Sequence, residues 1–149
     1  MILDTTYLLP LVRIGIERDL LAEIASHRVD LELADCGVSS ISIFELQAKS
    51  AKLSIPAKFV TEGLQAIEDG FRVHSFHDPD ILGISFELRK LIPDYIDAVI
   101  VATAAARDKQ LLTEDSRILR AKGSLEKDYG LKVSSFREIL DSHRSTTNR

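Results

Sequence analysis

Short β-branched or apolar runs alternate with longer stretches of helical periodicity along the whole chain, and this alternation limits the fold more than any single motif. "MIL" before Asp4, "CGVSSISI", "FRVHSF", "QLLT" and "LKVSS" read as five strands. Between the first two, Leu8, Val12, Ile16, Leu20 and Ile24 recur every fourth residue and predict one long helix, with Pro10 tolerated in its first turns. "FELQAKSAKL" begins a second helix. Pro56 opens a third, with Val60, Leu64, Ile67 and Phe71 on one face. Ile81, Ile84, Leu88 and Leu91 share a face of a fourth, closed by Pro93. "YIDAVIVATAAARD" is apolar nearly all round, which predicts a helix buried against both sheet and neighbours. "EDSRILRA" predicts a short helical turn and "FREIL" a last helix. Strands joined by helical crossovers give an α/β fold: a single-domain three-layer sandwich around a mostly parallel five-stranded sheet. The domain is expected over residues 1–142, with residues 143–149 as a flexible tail.

In open sheets of this class, ligands bind beyond the carboxyl ends of the strands. Four acids are directed to that rim. Asp4 follows the first strand, Glu45 opens the helix after the second, Asp97 opens the apolar helix, and Asp115 follows the fourth strand. Four clustered carboxylates repel: two unit charges ~4 Å apart at an effective dielectric of 20 cost about 4 kcal/mol. A divalent cation removes that cost, and hard oxygen ligands select Mg²⁺ or Mn²⁺. Such an ion, with a bound water, supplies the chemistry of phosphodiester hydrolysis. Each acid also admits a structural role. Asp4 and Asp115 suit helix caps, and Asp94 can cap a helix in which Asp97 is a first-turn acid. Glu45 stands three after Ser42 in a capping-box pattern and four before Lys49.

The whole-chain properties bound the partners. A formal net charge of -4 makes the chain no general magnet for nucleic acid, so any such site must be local. Cys36 is the single cysteine, which excludes an internal disulfide and a cysteine-built zinc site and suits a reducing cytoplasm. The N-terminus lacks the pattern of a signal peptide. The longest apolar run, Ala98 to Ala106, is half the ~18 residues a membrane span needs.

In order and spacing, "MILDTTYLL", "SSISIFELQ", "DAVIVATAAARDKQLLTEDSRIL" and "LKVSSFREIL" resemble the PIN domain family, particularly its stand-alone VapC-type toxins. The resemblance covers nearly the whole chain. It places the family's acids on Asp4, Glu45, Asp97 and Asp115, with Asp4, Asp97 and Asp115 as metal ligands. Thr113 matches a hydroxyl position before the last acid, Thr5 or Thr6 supplies one near the first, and Asp94 can share the role of Asp97. It implies a Mg²⁺- or Mn²⁺-dependent endoribonuclease in the cytoplasm, an RNA substrate, a homodimer and an antitoxin that covers the active site.

Two other readings share the fold. A non-catalytic PIN-like module would bind RNA or protein without needing the acids. An aspartyl-phosphate phosphatase would use Asp4 as nucleophile, yet the second acid such enzymes place two residues later is here Thr6. His74 and His77, three apart in an extended strand, fall on opposite faces, so "HSFHDPD" makes a poor zinc site. No phosphate-cradling glycine loop is present. Lys49, Lys52 and Lys58 follow Glu45, and Arg107, Lys109, Arg117, Arg120 and Lys122 flank the last two acids. Any of them at the cleft would serve RNA phosphates.

Overall fold

A computed structural model describes residues 1–147, with side chains described to Asp141; Asn148, Arg149 and the side chains of the expected tail lie outside the described residues. Five short strands, β1 (Ile2–Leu3), β2 (Gly37–Ser39), β3 (Arg72–His74), β4 (Leu111–Leu112) and β5 (Val133–Ser134), form one sheet in the order β3-β2-β1-β4-β5. Every pairing is parallel. The α/β sandwich expected from the alternation is the observed fold.

Among the described residues seven α-helices cover the sheet: α1 (Leu20–Ala25), α2 (Ser40–Lys52), α3 (Ala57–Gly70), α4 (Pro79–Leu88), α5 (Tyr95–Ala106), α6 (Ser116–Tyr129) and α7 (Phe136–Thr147). Alternate strand residues feed two cores, as a pleated sheet buried on both faces requires. Ile2, Leu111 and Val133 pack with α4, α5 and α6 on one side. Leu3, Val38 and Leu112 pack on the other with Tyr7, Leu8, Leu20, Leu46, Ile67 and Phe136. α5 is the most buried helix, with Ala98 through Ala104 all inaccessible, in keeping with its all-round apolar sequence.

Three elements differ from the sequence reading. The long first helix is broken: Thr5–Val12 winds as a 3₁₀ segment, Arg13 adopts a left-handed φ of 68°, and α1 restarts only at Leu20 behind an Asp19 cap. Pro10 withdraws an N–H and Gly15 resists helix, yet Leu8, Val12 and Leu20 all remain buried, so the two short pieces satisfy the periodicity. The strand read in "CGVSSISI" stops at Ser39, whose hydroxyl accepts from the Ile41 N–H and starts α2 there. The expected short turn at "EDSRILRA" is instead a helix of 14 residues. Ile118, Ala121 and Leu125 give it a buried stripe, and Gly130 ends it at φ 64°, a conformation glycine adopts without steric cost.

Candidate active site

The carboxyl ends of β1 and β4 lie side by side, because Leu3 pairs with Leu112, and the chains leaving them deliver Asp4 and Asp115 to the same rim. Ser39 ends the adjacent β2 and caps α2, which carries Glu45 back along that rim. Asp97 arrives from the start of α5, whose C-terminus leads into β4 at the opposite rim. Asp4, Glu45, Asp97 and Asp115 line one open cavity of about 610 Å³, joined by Asp94, Glu114, Thr6, Ser116, Lys49 and Arg117. The four acids singled out in the sequence thus share a cleft.

Asp4 is 6% exposed and is the most enclosed of the four. It occupies the cap position of the 3₁₀ segment but makes no side-chain cap bond. Instead, the Thr113 hydroxyl donates to its Oδ2 at 2.5 Å and accepts from the Asp115 N–H at 3.0 Å. Thr5 and Thr6 divide: Thr6 faces the cavity, whereas the buried Thr5 hydroxyl donates to Ser42 Oγ at 3.0 Å and ties the segment after β1 to α2. Ser42 therefore lies inside α2 and caps nothing. Glu45, one turn on, pairs with Lys49 at 2.8 Å.

Asp94 and Asp97 have separate positions. Asp94 caps α5, its Oδ1 accepting from the N–H groups of Ile96 and Asp97 at 2.9 and 3.2 Å. Asp97 makes no such cap bond. Asp115 caps α6 through the N–H groups of Arg117 and Ile118, a structural role it holds while facing the cleft.

The electrostatics follow from this crowding. Burial, reinforced by Asp94, Asp4, Asp115 and Glu45, pushes the Asp97 carboxyl up to about 7. Burial likewise pushes Asp4 up to about 6; the Thr113 hydrogen bond opposes the rise, and Glu45 and Asp115 add to it. Asp4 and Asp97, buried beside further acids, mark a site short of positive charge.

Hard oxygen donors around an open cleft, mutually repelling, have the chemistry a divalent cation requires. Among the described residues, however, no group of three or more His, Cys, Asp or Glu side chains forms a ready-made metal site. Mg²⁺ typically keeps several waters and takes one or two carboxylates directly, so an open cleft lined by separate acids suits an ion bound partly through its hydration shell.

Glu114, which the sequence does not single out, also lines the cleft beside Asp115. It is the better anchored of the two. Its Oε1 accepts from the Tyr7 hydroxyl at 2.8 Å and the Phe136 N–H at 2.7 Å, and Arg18 approaches Oε2 at 3.4 Å. Burial and that acceptor hold the Tyr7 phenol neutral. The basic residues are dispersed: Lys49 and Arg117 reach the acidic cleft, Arg107 and Lys109 line another cavity, and Lys122 pairs with Glu138. Cys36 is buried, and burial raises its thiol to about 11, which fits a core residue.

The family model described as "PIN domain" matches residues 1–124. Among curated proteins no match is found. Solved structures that share the fold include the following three. A toxin-antitoxin complex from Klebsiella pneumoniae has 22% identity and a TM-score of 0.58, covering 77% of this chain and 86% of that one. VapBC2 from Rickettsia felis, bound to a DNA fragment from its promoter, has 17% identity and a TM-score of 0.61 over 90% and 96%. FitAcB from Neisseria gonorrhoeae has 21% identity and a TM-score of 0.61 over 89% and 94%.

Proposed function

The chain belongs to the PIN domain family, and from that premise we propose that it is a divalent-metal-dependent endoribonuclease, the toxin of a toxin-antitoxin pair. One observation carries the reading: four acids from separate elements, Asp4, Glu45, Asp97 and Asp115, line a single cleft, and their crowding adds to the raised proton affinity of Asp4 and Asp97. The similarity to a structure described as a toxin-antitoxin complex supports an antitoxin protein as partner; a second copy of the chain and a cytoplasmic location complete the proposal. Among the described residues no helix is long and apolar enough to cross a membrane.

Asp4, Asp97 and Asp115 would hold Mg²⁺ or Mn²⁺, one or two of them directly and the rest through the ion's waters. When bound, the ion supplies an activated water and neutralises charge on the scissile phosphate. The chain's own groups do the positioning. Thr113 aims Asp4 by donating to Oδ2, and Thr5, through Ser42, sets the angle at which α2 presents Glu45. Glu45 orients the attacking water, with Lys49 restraining its carboxylate. Asp94 fixes the first turn of α5 and through it the direction of Asp97. Arg117 stands at the cavity wall, placed to meet an RNA phosphate.

Asp4 as a phosphorylated nucleophile is not favoured, since its carboxylate is buried and engaged by Thr113. Cleavage of mixed RNA with Mn²⁺ tests the reading. Loss of at least a hundredfold in Asp4→Asn supports it, and unchanged cleavage in that variant refutes it.

A further inference from the structure

A second cavity, of about 310 Å³, lies at the opposite rim of the sheet, and its floor is formed by Ile2, Gly37 and Arg72, the first residues of β1, β2 and β3. Its walls carry Arg72, His74, Arg107 and Lys109, against the single carboxylate of Asp35. The volume is at the lower end of the range of small-molecule sites. Of the three permanent cations, only Arg107 is neutralised, by the Asp78 carboxylate at 2.5 Å. Among the described residues Arg72 and Lys109 make no ion pair.

Gly37 lets two side chains close over its backbone at the floor of the cavity. A Cβ there would come within 2.8 Å of Ile2 Cδ1 and 2.9 Å of His74 Nε2. The imidazole leans into the space that Gly37 leaves. Half-buried beside Arg107 and Arg72, it is held below its usual proton affinity, first by burial and then by those charges. Neutral imidazole can donate or accept a hydrogen bond, and the two free cations give the cavity a positive field.

We propose that this basic cavity is a binding site for a phosphate group, on a mononucleotide or on an RNA strand, with Arg72 and Lys109 supplying the charge and His74 a hydrogen bond. Guanidinium is suited to forked contact with phosphate oxygens, and ammonium acts as a point charge beside it. The acidic cleft leaves from the carboxyl ends of the strands, so the two sites do not overlap. A strand held here would be anchored away from the rim where it is cut.

The test is calorimetric titration of the full chain in EDTA at constant ionic strength, with inorganic phosphate, AMP and a short oligouridylate as three separate probes. Saturable binding of at least one probe is expected, weakened at least tenfold in the Arg72→Gln/Lys109→Gln double variant and retained in Asp97→Asn. Arg72 and Lys109 are exposed, so the double variant is expected to keep the wild-type circular dichroism spectrum. Displacement of AMP by lower concentrations of oligouridylate identifies a nucleic-acid strand as the source; phosphate or AMP binding that oligouridylate does not displace identifies a small phosphate. The proposal is overturned by no saturable binding of any probe, by full binding in the double variant, or by loss of binding in Asp97→Asn. With metal withheld and nothing cleaved, these outcomes are independent of whether the chain is a nuclease.

Discussion

The Thr113 hydroxyl has one proton, and it goes to Asp4: accepting from the Asp115 N–H at 3.0 Å leaves it to donate to Asp4 Oδ2 at 2.5 Å. One side chain thereby fixes the relative placement of two acids that are far apart in sequence. Thr113→Val keeps the shape and removes the hydroxyl, leaving a buried carboxylate short of a donor. The expected cost is about 1.5–3 kcal/mol in urea denaturation, as for hydrogen bonds to charged groups. RNA cleavage should fall with it, more than stability alone explains.

The raised acids make the metal-free protein least comfortable at neutral pH. Asp4 at about 6 and Asp97 at about 7 bind protons more tightly folded than unfolded, so their contribution is fully present below pH 4 and is lost as pH rises through 6 and 7. In EDTA these two groups should make the melting temperature decline between pH 4 and 7.5. Millimolar Mn²⁺ at pH 7.5 should restore it, because a ligand that binds only the native state stabilises by mass action. A flat response to both pH and Mn²⁺ would favour a module that binds without catalysis.

Asp97 and Asp94 should separate cleanly by mutation. Asp97→Asn removes a repelled charge and is expected to stabilise the metal-free protein at pH 7.5, on the order of 1 kcal/mol after allowing for its partial exposure, while abolishing cleavage. Asp94→Ser retains a capping oxygen and should keep most activity. Asp94→Ala should lose about 1 kcal/mol of stability with the cap. Thermal melts and RNA cleavage assays on the three variants check this.

The break in the first helical stretch has its own test. Gly63 of α3 meets the 3₁₀ segment so closely that an added Cβ would lie 2.5 Å from the Leu11 carbonyl oxygen and 2.8 Å from Val12 Cγ1. Backbone cannot yield cheaply, so Gly63→Ala should cost about 1–3 kcal/mol despite the better helix propensity of alanine. Chemical denaturation reads the difference.

The sheet and the acid rim were legible because both depend on local pattern plus topology. Parallel strands joined by crossovers leave every carboxyl end on one side, so Asp4 and Asp115 had nowhere else to go. What the sequence could not convey is how a helix starts or breaks when tertiary packing decides. Ser39 rather than Ser42 caps α2, because Ser42 is needed inside as the acceptor for Thr5. Leu8, Val12 and Leu20 keep helical spacing although the chain between them turns aside at Arg13. Glu114 was hidden for a different reason: its partners Tyr7 and Phe136 are remote in sequence, and only the fold assembles them.

Cleavage of a defined RNA panel, with divalent metal withheld and then restored, bears most directly on the shared acidic cleft. Wild type should be inert in EDTA and recover on adding Mg²⁺ or Mn²⁺, with Asp97→Asn at least a hundredfold slower at saturating metal. Cutting that proceeds equally in EDTA, or that survives Asp97→Asn unchanged, would contradict the account.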